Sequence, residues 1–102
     1  MVTIEVKRAK TVGEKIKGLL GSPRPFNLQL NTRWGIHTFG MQFPIDILIL
    51  DGTNTVQKLK QSLTPNRIFF WNPLWNTVVE LPEGTIKEKQ ITIGTTLSIV
   101  YR

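Results

Sequence analysis

A run of aliphatic residues at positions 45–50 restricts the fold more than any other feature of this sequence. The run reads Ile45-Asp46-Ile47-Leu48-Ile49-Leu50, with five β-branched or leucine residues out of six. Such a run is typical of a strand that is buried on both faces. The turn signal Asp51-Gly52 follows it, so residues 45–50 and 55–62 are predicted to pair as a hairpin.

Most of the remaining chain is also extended. Strict alternation over residues 2–7 predicts a strand with one face on the core and one face in water. The capping box Thr11-Val12-Gly13-Glu14 predicts a short helix over about residues 11–20, and residues 85–89 are predicted to form one helical turn. Further strands are predicted at residues 26–30, 36–41, 68–71, 75–81 and 96–101.

These elements favour a mainly β fold. A parallel α/β arrangement would need more crossover helices than this pattern supplies. With 102 residues, the chain is below the size at which one hydrophobic core divides into two. We therefore expect a single domain over residues 1–102. Its fold is predicted to be a compact antiparallel β-sandwich or barrel-like structure with one short N-terminal helix.

Composition excludes several classes of site. The absence of cysteine rules out disulfides, thiolate zinc sites and thiol nucleophiles. His37 is the one histidine, which excludes a multi-histidine metal cage. No metal site and no cofactor is predicted. The N-terminus does not resemble a leader peptide and no apolar run approaches ~18 residues, so a soluble cytoplasmic protein without a membrane segment is expected.

The positive net charge makes a polyanion a candidate partner. Thirteen Lys and Arg residues against seven Asp and Glu give +6, which suits a polyanion such as nucleic acid. The cations are scattered, without a run of five or six like charges. Binding of single-stranded nucleic acid is therefore kept as an alternative and is not the favoured prediction.

Asp46 is the first candidate for a functional residue. A carboxylate within an aliphatic run is costly to bury unless it is paired or hydrogen-bonded. It either ties its strand to a neighbouring loop or acts as a pocket acid, base or ligand anchor. His37 and Glu80 are its predicted catalytic partners, and each is also explained as a structural residue. The spacing gives no sign that the three groups join as metal ligands.

The aromatic residues are the second candidate group. In Ile68-Phe69-Phe70-Trp71, alternation sends successive rings to opposite faces, which favours core packing plus one exposed patch. Rings in such a patch stack on bases or sugars while nearby cations bind phosphate. The residues predicted to contact a ligand are Trp34, Met41, Trp71, Trp75, Lys15 and Arg33.

Three stretches of the chain resemble one family. They are residues 9–21 (AKTVGEKIKGLLG), residues 36–46 (IHTFGMQFPID) with Asp51, and residues 79–85 (VELPEGT) with Ile93-Gly94. Together they are similar to domain of unknown function 192 over nearly the whole chain. The resemblance implies a compact, mostly antiparallel β-sandwich or barrel-like fold with a short helix near the start, and implies no established activity.

The chain departs from this family at three positions. Lys15 stands where the family usually has arginine, and lysine lacks the rigid fork that holds a carboxylate with two hydrogen bonds. Thr95 follows Gly94 where the family usually has aspartate. Gln90 occupies the position of a usual glycine at the end of the last short turn.

The favoured function is a ligand- or partner-binding module with a shallow pocket near His37 and Asp46. The partner would be a small molecule or a protein, and the chain a monomer or weak dimer. The alternative is a small enzyme that uses Asp46 with His37 or Glu80 as acid and base. That alternative requires the groups to converge on one open cavity.

Overall fold

The computed structural model describes residues 2–9, 24–33 and 35–102. The alternating and aliphatic segments in these ranges form eight strands and one short helix. The strands are β1 Val2–Arg8, β2 Leu28–Asn31, β3 Gly35–His37, β4 Ile45–Leu50, β5 Val56–Leu63, β6 Ile68–Phe70, β7 Thr77–Pro82 and β8 Leu97–Tyr101, and the helix is α1 Thr85–Glu88. The prediction of a mainly β fold is confirmed.

Six of the strands form one sheet in the order β5-β4-β7-β2-β1-β8. The β4–β5, β4–β7 and β2–β7 pairs are antiparallel, and the first is the predicted hairpin. β1, however, runs parallel to both of its neighbours, β2 and β8, so the expected antiparallel sheet is in fact mixed. Turn signals reveal hairpins between consecutive strands, whereas parallel pairs need long crossover connections that leave no local signal.

The sheet curls until its two edge strands meet at one end. Thr55 and Thr96 form a bridge between the start of β5 and the start of β8. Beside it, the Val56 N–H donates to the Thr95 carbonyl (2.8 Å) and the Leu97 N–H donates to the Asn54 carbonyl (2.9 Å). Closure at this end makes the sheet a half-barrel, which confirms the barrel-like prediction in part.

β4 lies at the centre of the hydrophobic core. All of its residues are buried, as the aliphatic run predicts. Its side chains alternate between two clusters on opposite faces of the sheet. The outer cluster contains Ala9, Leu28, Leu30, Met41, Ile45, Ile47, Ile49, Leu63, Phe69, Trp71 and Val78. The inner cluster, which includes residues of both edge strands and so lies within the curl, contains Ile4, Val6, Leu48, Leu50, Val56, Val79, Leu81, Ile86, Ile91 and Leu97.

β3 and β6 form a separate antiparallel sheet of two strands, the small sheet, which packs on the outer cluster. Phe69 belongs to that cluster and Ile36 packs against it. Lys58 of β5 fastens the small sheet in place, because its Nζ donates to the Phe70 carbonyl (2.6 Å) and lies 4.9 Å from the centre of the Phe69 ring. The other side of the small sheet faces solvent.

The strand predicted over residues 36–41 is shorter than expected. β3 ends at His37, and the chain then turns through Phe39 and Gly40, where Gly40 has φ 84°. This left-handed conformation, which suits glycine, ends the extended backbone. As a result His37, Phe39 and Met41 do not share one strand face: Met41 is buried, and the other two are exposed.

The helix in the described residues lies near the end of the chain. α1 confirms the helical turn predicted over residues 85–89. Gln90 follows it with φ 55°, a left-handed conformation that glycine adopts more readily than glutamine. The expected N-terminal helix at residues 11–20 lies outside the described residues, so the helix assigned to the fold is corrected to Thr85–Glu88. Within the described ranges, no helix has the length and apolar character needed to cross a membrane.

Asp51 holds the turn between β4 and β5. Its Oδ1 accepts hydrogen bonds from the Thr53 hydroxyl (2.7 Å), the Thr53 N–H (2.8 Å) and the Thr55 N–H (3.1 Å). Its Oδ2 accepts a hydrogen bond from the Gln57 side-chain amide (2.7 Å). The bonds from Thr53 and Thr55, with a smaller effect of Gln57, stabilise the charged form and lower the pKa of Asp51 from 3.8 to about 2.

We expect Asp51 to make the stability of the fold depend on pH in the acid range. Because its pKa is lowered in the folded state, its contribution is complete above about pH 4 and is lost as the pH falls towards 2. Asp51→Asn should therefore lower the urea midpoint at neutral pH and flatten its decline over this range. Urea melts in steps from about pH 6 to about pH 2 test this, with Glu83→Gln at an exposed position as the control. Parallel curves for Asp51→Asn and the unaltered chain would contradict the expectation.

Candidate functional site

Asp46, the carboxylate within the aliphatic run, is fully buried, with 0% of its surface exposed. Its Oδ1 accepts the Ser62 N–H (3.0 Å), and its Oδ2 accepts the N–H groups of Gly84 (3.1 Å) and Ile86 (3.0 Å). Gly84 is the N-cap of α1, so the carboxylate accepts amides that the first helical turn leaves without intrahelical partners. Ser62 has φ 54° and lies where the β4–β5 register shifts, as in a β-bulge.

These three amides give Asp46 a structural role. The side chain connects β4 with β5 and with the start of α1. Both carboxylate oxygens are engaged, and neither is exposed to an incoming substrate. The acid/base alternative requires Asp46 to face an open cavity. Because Asp46 is buried and hydrogen-bonded, the geometry does not support that alternative.

Asp46, His37 and Glu80 lie in three different environments. Alternation along β4 directs Asp46 to the side of the inner cluster, away from the small sheet that carries His37. Glu80 is 6% exposed on β7 and pairs with Ile47, which places it on the side of the outer cluster. Nowhere in the described ranges do three histidine, aspartate or glutamate side chains gather as a metal site.

The predicted aromatic and methionine ligands that can be located serve the core. Met41 and Trp71 are buried in the outer cluster, and Trp75 packs against it. The indole N–H of Trp71 donates to the Trp75 carbonyl (2.7 Å), which satisfies its polar group inside the protein. Met41 and Trp71 therefore present little surface to a ligand, and Trp75 is partly buried.

Arg33 is the predicted basic ligand that the structure locates. It is exposed, and its Nη1 donates to the Pro73 carbonyl (2.8 Å), which connects the chain before β3 to the loop after β6. Lys15 and Trp34, the other predicted ligand residues, lie outside the described residues.

The solvent side of the small sheet carries a group of apolar residues that the predicted ligand set omits. Along β6, Phe69 points into the outer cluster, whereas Ile68 and Phe70 point to solvent and are 53% and 63% exposed. Phe39 is 48% exposed and stacks on His37, which pairs with Ile68 across the small sheet. The alternation of Ile68-Phe69-Phe70 contained this signal, since it predicts one exposed ring for each buried one. We name His37, Phe39, Ile68 and Phe70 the aromatic face.

Two local contacts hold the rings of the aromatic face. The rings of His37 and Phe39 stack with centroids 5.1 Å apart and an interplanar angle of 25°, and the Phe39 N–H donates to His37 Nδ1 (3.3 Å). Phe70 lies against Gly35 on the paired strand: a Cβ at Gly35 would lie 2.9 Å from Phe70 Cδ1 and 2.8 Å from the Phe69 carbonyl oxygen. Glycine at this position lets the ring approach the backbone.

Thr38 positions the turn between β5 and β6 next to the aromatic face. Its side chain is buried, and its hydroxyl donates to the Thr64 carbonyl (2.7 Å) and accepts the Arg67 N–H (2.9 Å). Its own N–H donates to the Arg67 carbonyl (2.9 Å). Arg67 is thereby fixed beside β3. Thr38 was not among the candidate residues, although a polar residue inside the apolar 36–41 segment was a signal for such a role.

A cleft of about 380 Å³ adjoins the aromatic face at Ile68. Lys60 pairs with Ile47 and so lies on the same side of the main sheet as the small sheet. Lys60 and Arg67 are both exposed and supply the positive charge of the lining. We name this the basic cleft, and its described lining consists of Lys60, Ser62, Leu63, Thr64, Arg67, Ile68 and Phe69.

Acidic residues are scarce in this part of the chain. Between residues 15 and 79 the sequence contains two, Asp46 and Asp51. The carboxylate of Asp46 is sealed within the core, and that of Asp51 accepts four hydrogen bonds in the turn before β5. The described lining of the basic cleft contains no carboxylate, and its two charged side chains are those of Lys60 and Arg67.

These features define a small mainly β domain, built on a curled mixed sheet, with an exposed aromatic surface next to a basic cleft. The chain belongs to the DUF192 family, described as "Uncharacterized ACR", whose profile matches residues 1–99. The family resemblance in the sequence is thereby confirmed. No curated protein gives a significant match to the chain.

Two solved structures are similar in fold. One is the crystal structure of a protein of unknown function from Novosphingobium aromaticivorans, with a TM-score of 0.76, 16% identity, and coverage of 87% of this chain and 70% of that one. The other is a "putative transcription regulator" from Sinorhizobium meliloti, with a TM-score of 0.78, 18% identity, and coverage of 87% and 76%. At these identities the likeness shows the fold alone.

Proposed function

We propose that this chain is a binding module whose binding surface is the aromatic face together with the basic cleft. The observation that carries the proposal is the exposure of Ile68 and Phe70 on the small sheet together with Phe39 in the turn that follows β3. Contiguous exposed apolar surface of this kind marks binding sites, because covering it removes apolar area from water. The site proposed here differs from the sequence-based pocket by excluding Asp46, which is sealed.

The chemistry of the surface specifies the ligand in outline. Exposed rings bind flat apolar groups by stacking, and the lysine and arginine of the adjacent cleft bind anionic groups. A ligand that carries both kinds of group side by side suits this surface. The name of the Sinorhizobium meliloti protein agrees with a nucleic-acid-related role, but the proposal depends on the surface of this chain.

We expect a suitable anionic probe to perturb the aromatic face and leave the rest of the sheet unchanged. The test is a titration of the isotope-labelled chain, followed by backbone amide NMR, with three probes: a single-stranded oligonucleotide, a sulfated oligosaccharide, and an acidic peptide containing tyrosine. At least one probe should shift the amides of β3, β6 and Phe39 while those of β1 stay in place. If none of the three probes shifts the NMR signals of these amides, the proposal is refuted.

A matched pair of variants makes the test specific. Phe70 and Ile93 are exposed to nearly the same extent, 63% and 64%, but Ile93 precedes β8 and lies outside the aromatic face. Phe70→Ser should abolish the shifts produced by the binding probe, and Ile93→Ser should leave them intact. Equal weakening by both variants would show that the probe binds through exposed apolar surface in general.

A further inference from the structure

Resting on the proposed function, we propose that the ligand is single-stranded nucleic acid, with unpaired bases stacked on the aromatic face and the adjacent phosphates held in the basic cleft. The two surfaces meet at Ile68, which belongs to both. A nucleic acid strand carries flat bases next to charged phosphates along its length, which matches an aromatic surface next to a basic one.

The rings of the aromatic face are already held in place for stacking. Phe70 lies against Gly35, which leaves the ring 63% exposed. Phe39 stacks on His37 on one side and remains 48% exposed, so an incoming base can extend that stack. Rings fixed in this way lose little freedom on binding, and aromatic stacking on bases tolerates any sequence.

The basic cleft supplies matching phosphate contacts. Arg67 offers a planar fork of donors, and Lys60 of β5 offers a compact charge. The hydroxyls of Ser62 and Thr64 are further polar groups of the lining. Thr38 holds the backbone of Arg67, so one end of the cleft is fixed relative to β3 before any ligand binds.

Single strands suit this surface better than a duplex or a folded protein partner. The bases of a duplex are stacked on one another, so exposed rings cannot reach their faces. Protein interfaces usually include about 20–30 residues on each side, whereas the aromatic face and the basic cleft together consist of ten described residues. The positive charge of the neighbouring cleft also favours a polyanion over an uncharged protein surface.

The experiment measures fluorescence anisotropy of four labelled probes with the whole chain at about 50 and about 200 mM salt. The probes are a mixed-sequence single strand of about 12 nucleotides, the same sequence as a duplex, an abasic strand of equal length, and a sulfated oligosaccharide. We expect the single strand to bind more tightly than the other three. Its affinity should fall steeply with salt because phosphate contacts release counterions.

Variants separate the two parts of the surface. Phe70→Ser should weaken single-strand binding by about tenfold or more, and Phe70→Tyr should retain it because tyrosine still stacks. Lys60→Gln with Arg67→Gln should reduce the slope of log affinity against log salt by about 1.4, since each phosphate contact contributes about 0.7. Lys87→Gln with Lys89→Gln, an equal change of charge at exposed positions in α1 and at its C-cap, should change the slope little. Urea melts establish that each variant is folded.

Each outcome decides the proposal. Tighter single-strand binding that depends on Phe70 and on the cleft cations supports it. Equal binding of the duplex or the abasic strand overturns it, because stacking on bases would then contribute nothing. If the oligonucleotide does not bind but the sulfated oligosaccharide still shifts the small-sheet amides, the nucleic-acid assignment is overturned. The proposal of a binding module then stands. Failure of every probe at this surface overturns both proposals.

Discussion

Asp46→Ala is expected to destabilise the fold by about 3–5 kcal/mol. The substitution removes an acceptor that three backbone amides share inside the protein, those of Ser62, Gly84 and Ile86. Each buried donor left without a partner costs about 1–3 kcal/mol, and hydrogen bonds to a charged acceptor are stronger than neutral ones. The cost is large because the lost bonds connect β4, β5 and α1 at one point.

Urea melts at neutral pH measure this loss as a shift of the midpoint. Asp46→Asn should cost less than Asp46→Ala, because its amide oxygen can still accept the Gly84 and Ile86 amides while its nitrogen faces the Ser62 donor. Glu83→Ala at an exposed position controls for the loss of one carboxylate. An unchanged midpoint for Asp46→Ala would contradict the structural role and reopen a functional one.

Trp71→Ala is expected to cost about 3–5 kcal/mol as well. Its side chain is buried in the outer cluster, where it lies beside Phe69 with ring centroids 6.1 Å apart. Truncation to alanine leaves a cavity that the surrounding strands cannot fully fill, and it removes the donor that binds the Trp75 carbonyl.

Comparison with Trp71→Phe separates the two contributions. Phenylalanine retains most of the apolar contact but not the indole N–H, so we expect a loss of about 1–2 kcal/mol. Chemical denaturation gives both values. Single-strand affinity of the folded Trp71→Phe variant should match that of the unaltered chain, because Trp71 lies behind the small sheet. A loss of affinity without a loss of stability would instead place Trp71 at the ligand, as the sequence had suggested.

Several elements of the fold could be predicted because their signals are local. Continuous aliphatic character identified β4 as buried on both faces, and alternation identified β1. The turn signal Asp51-Gly52 identified β5 as the hairpin partner of β4. Asp46 stood out for the same reason, since a charge in such a run demands hydrogen bonds. The identity of its partners could not be predicted, because the amides of Ser62, Gly84 and Ile86 carry no sequence signature.

The pattern of apolar residues in the sequence was not enough to locate the proposed binding surface. Alternation established that Phe69 and Phe70 point to opposite sides, but it did not say which side the core occupies. The tryptophans looked like the better ligands, yet Trp71 and Trp75 pack on the outer cluster, and smaller residues form the exposed face.

By itself, the sequence determined which segments are extended, which of them is central, and which carboxylate must be satisfied, because these properties follow from neighbouring residues. Only the tertiary structure decided that β1 pairs in parallel with β2 and β8, that Asp46 connects β5 to α1, and that Phe70 rather than Trp71 faces solvent. Each of these depends on contacts between residues far apart in the chain. Such contacts are set by how strands from the whole molecule bury their apolar faces together.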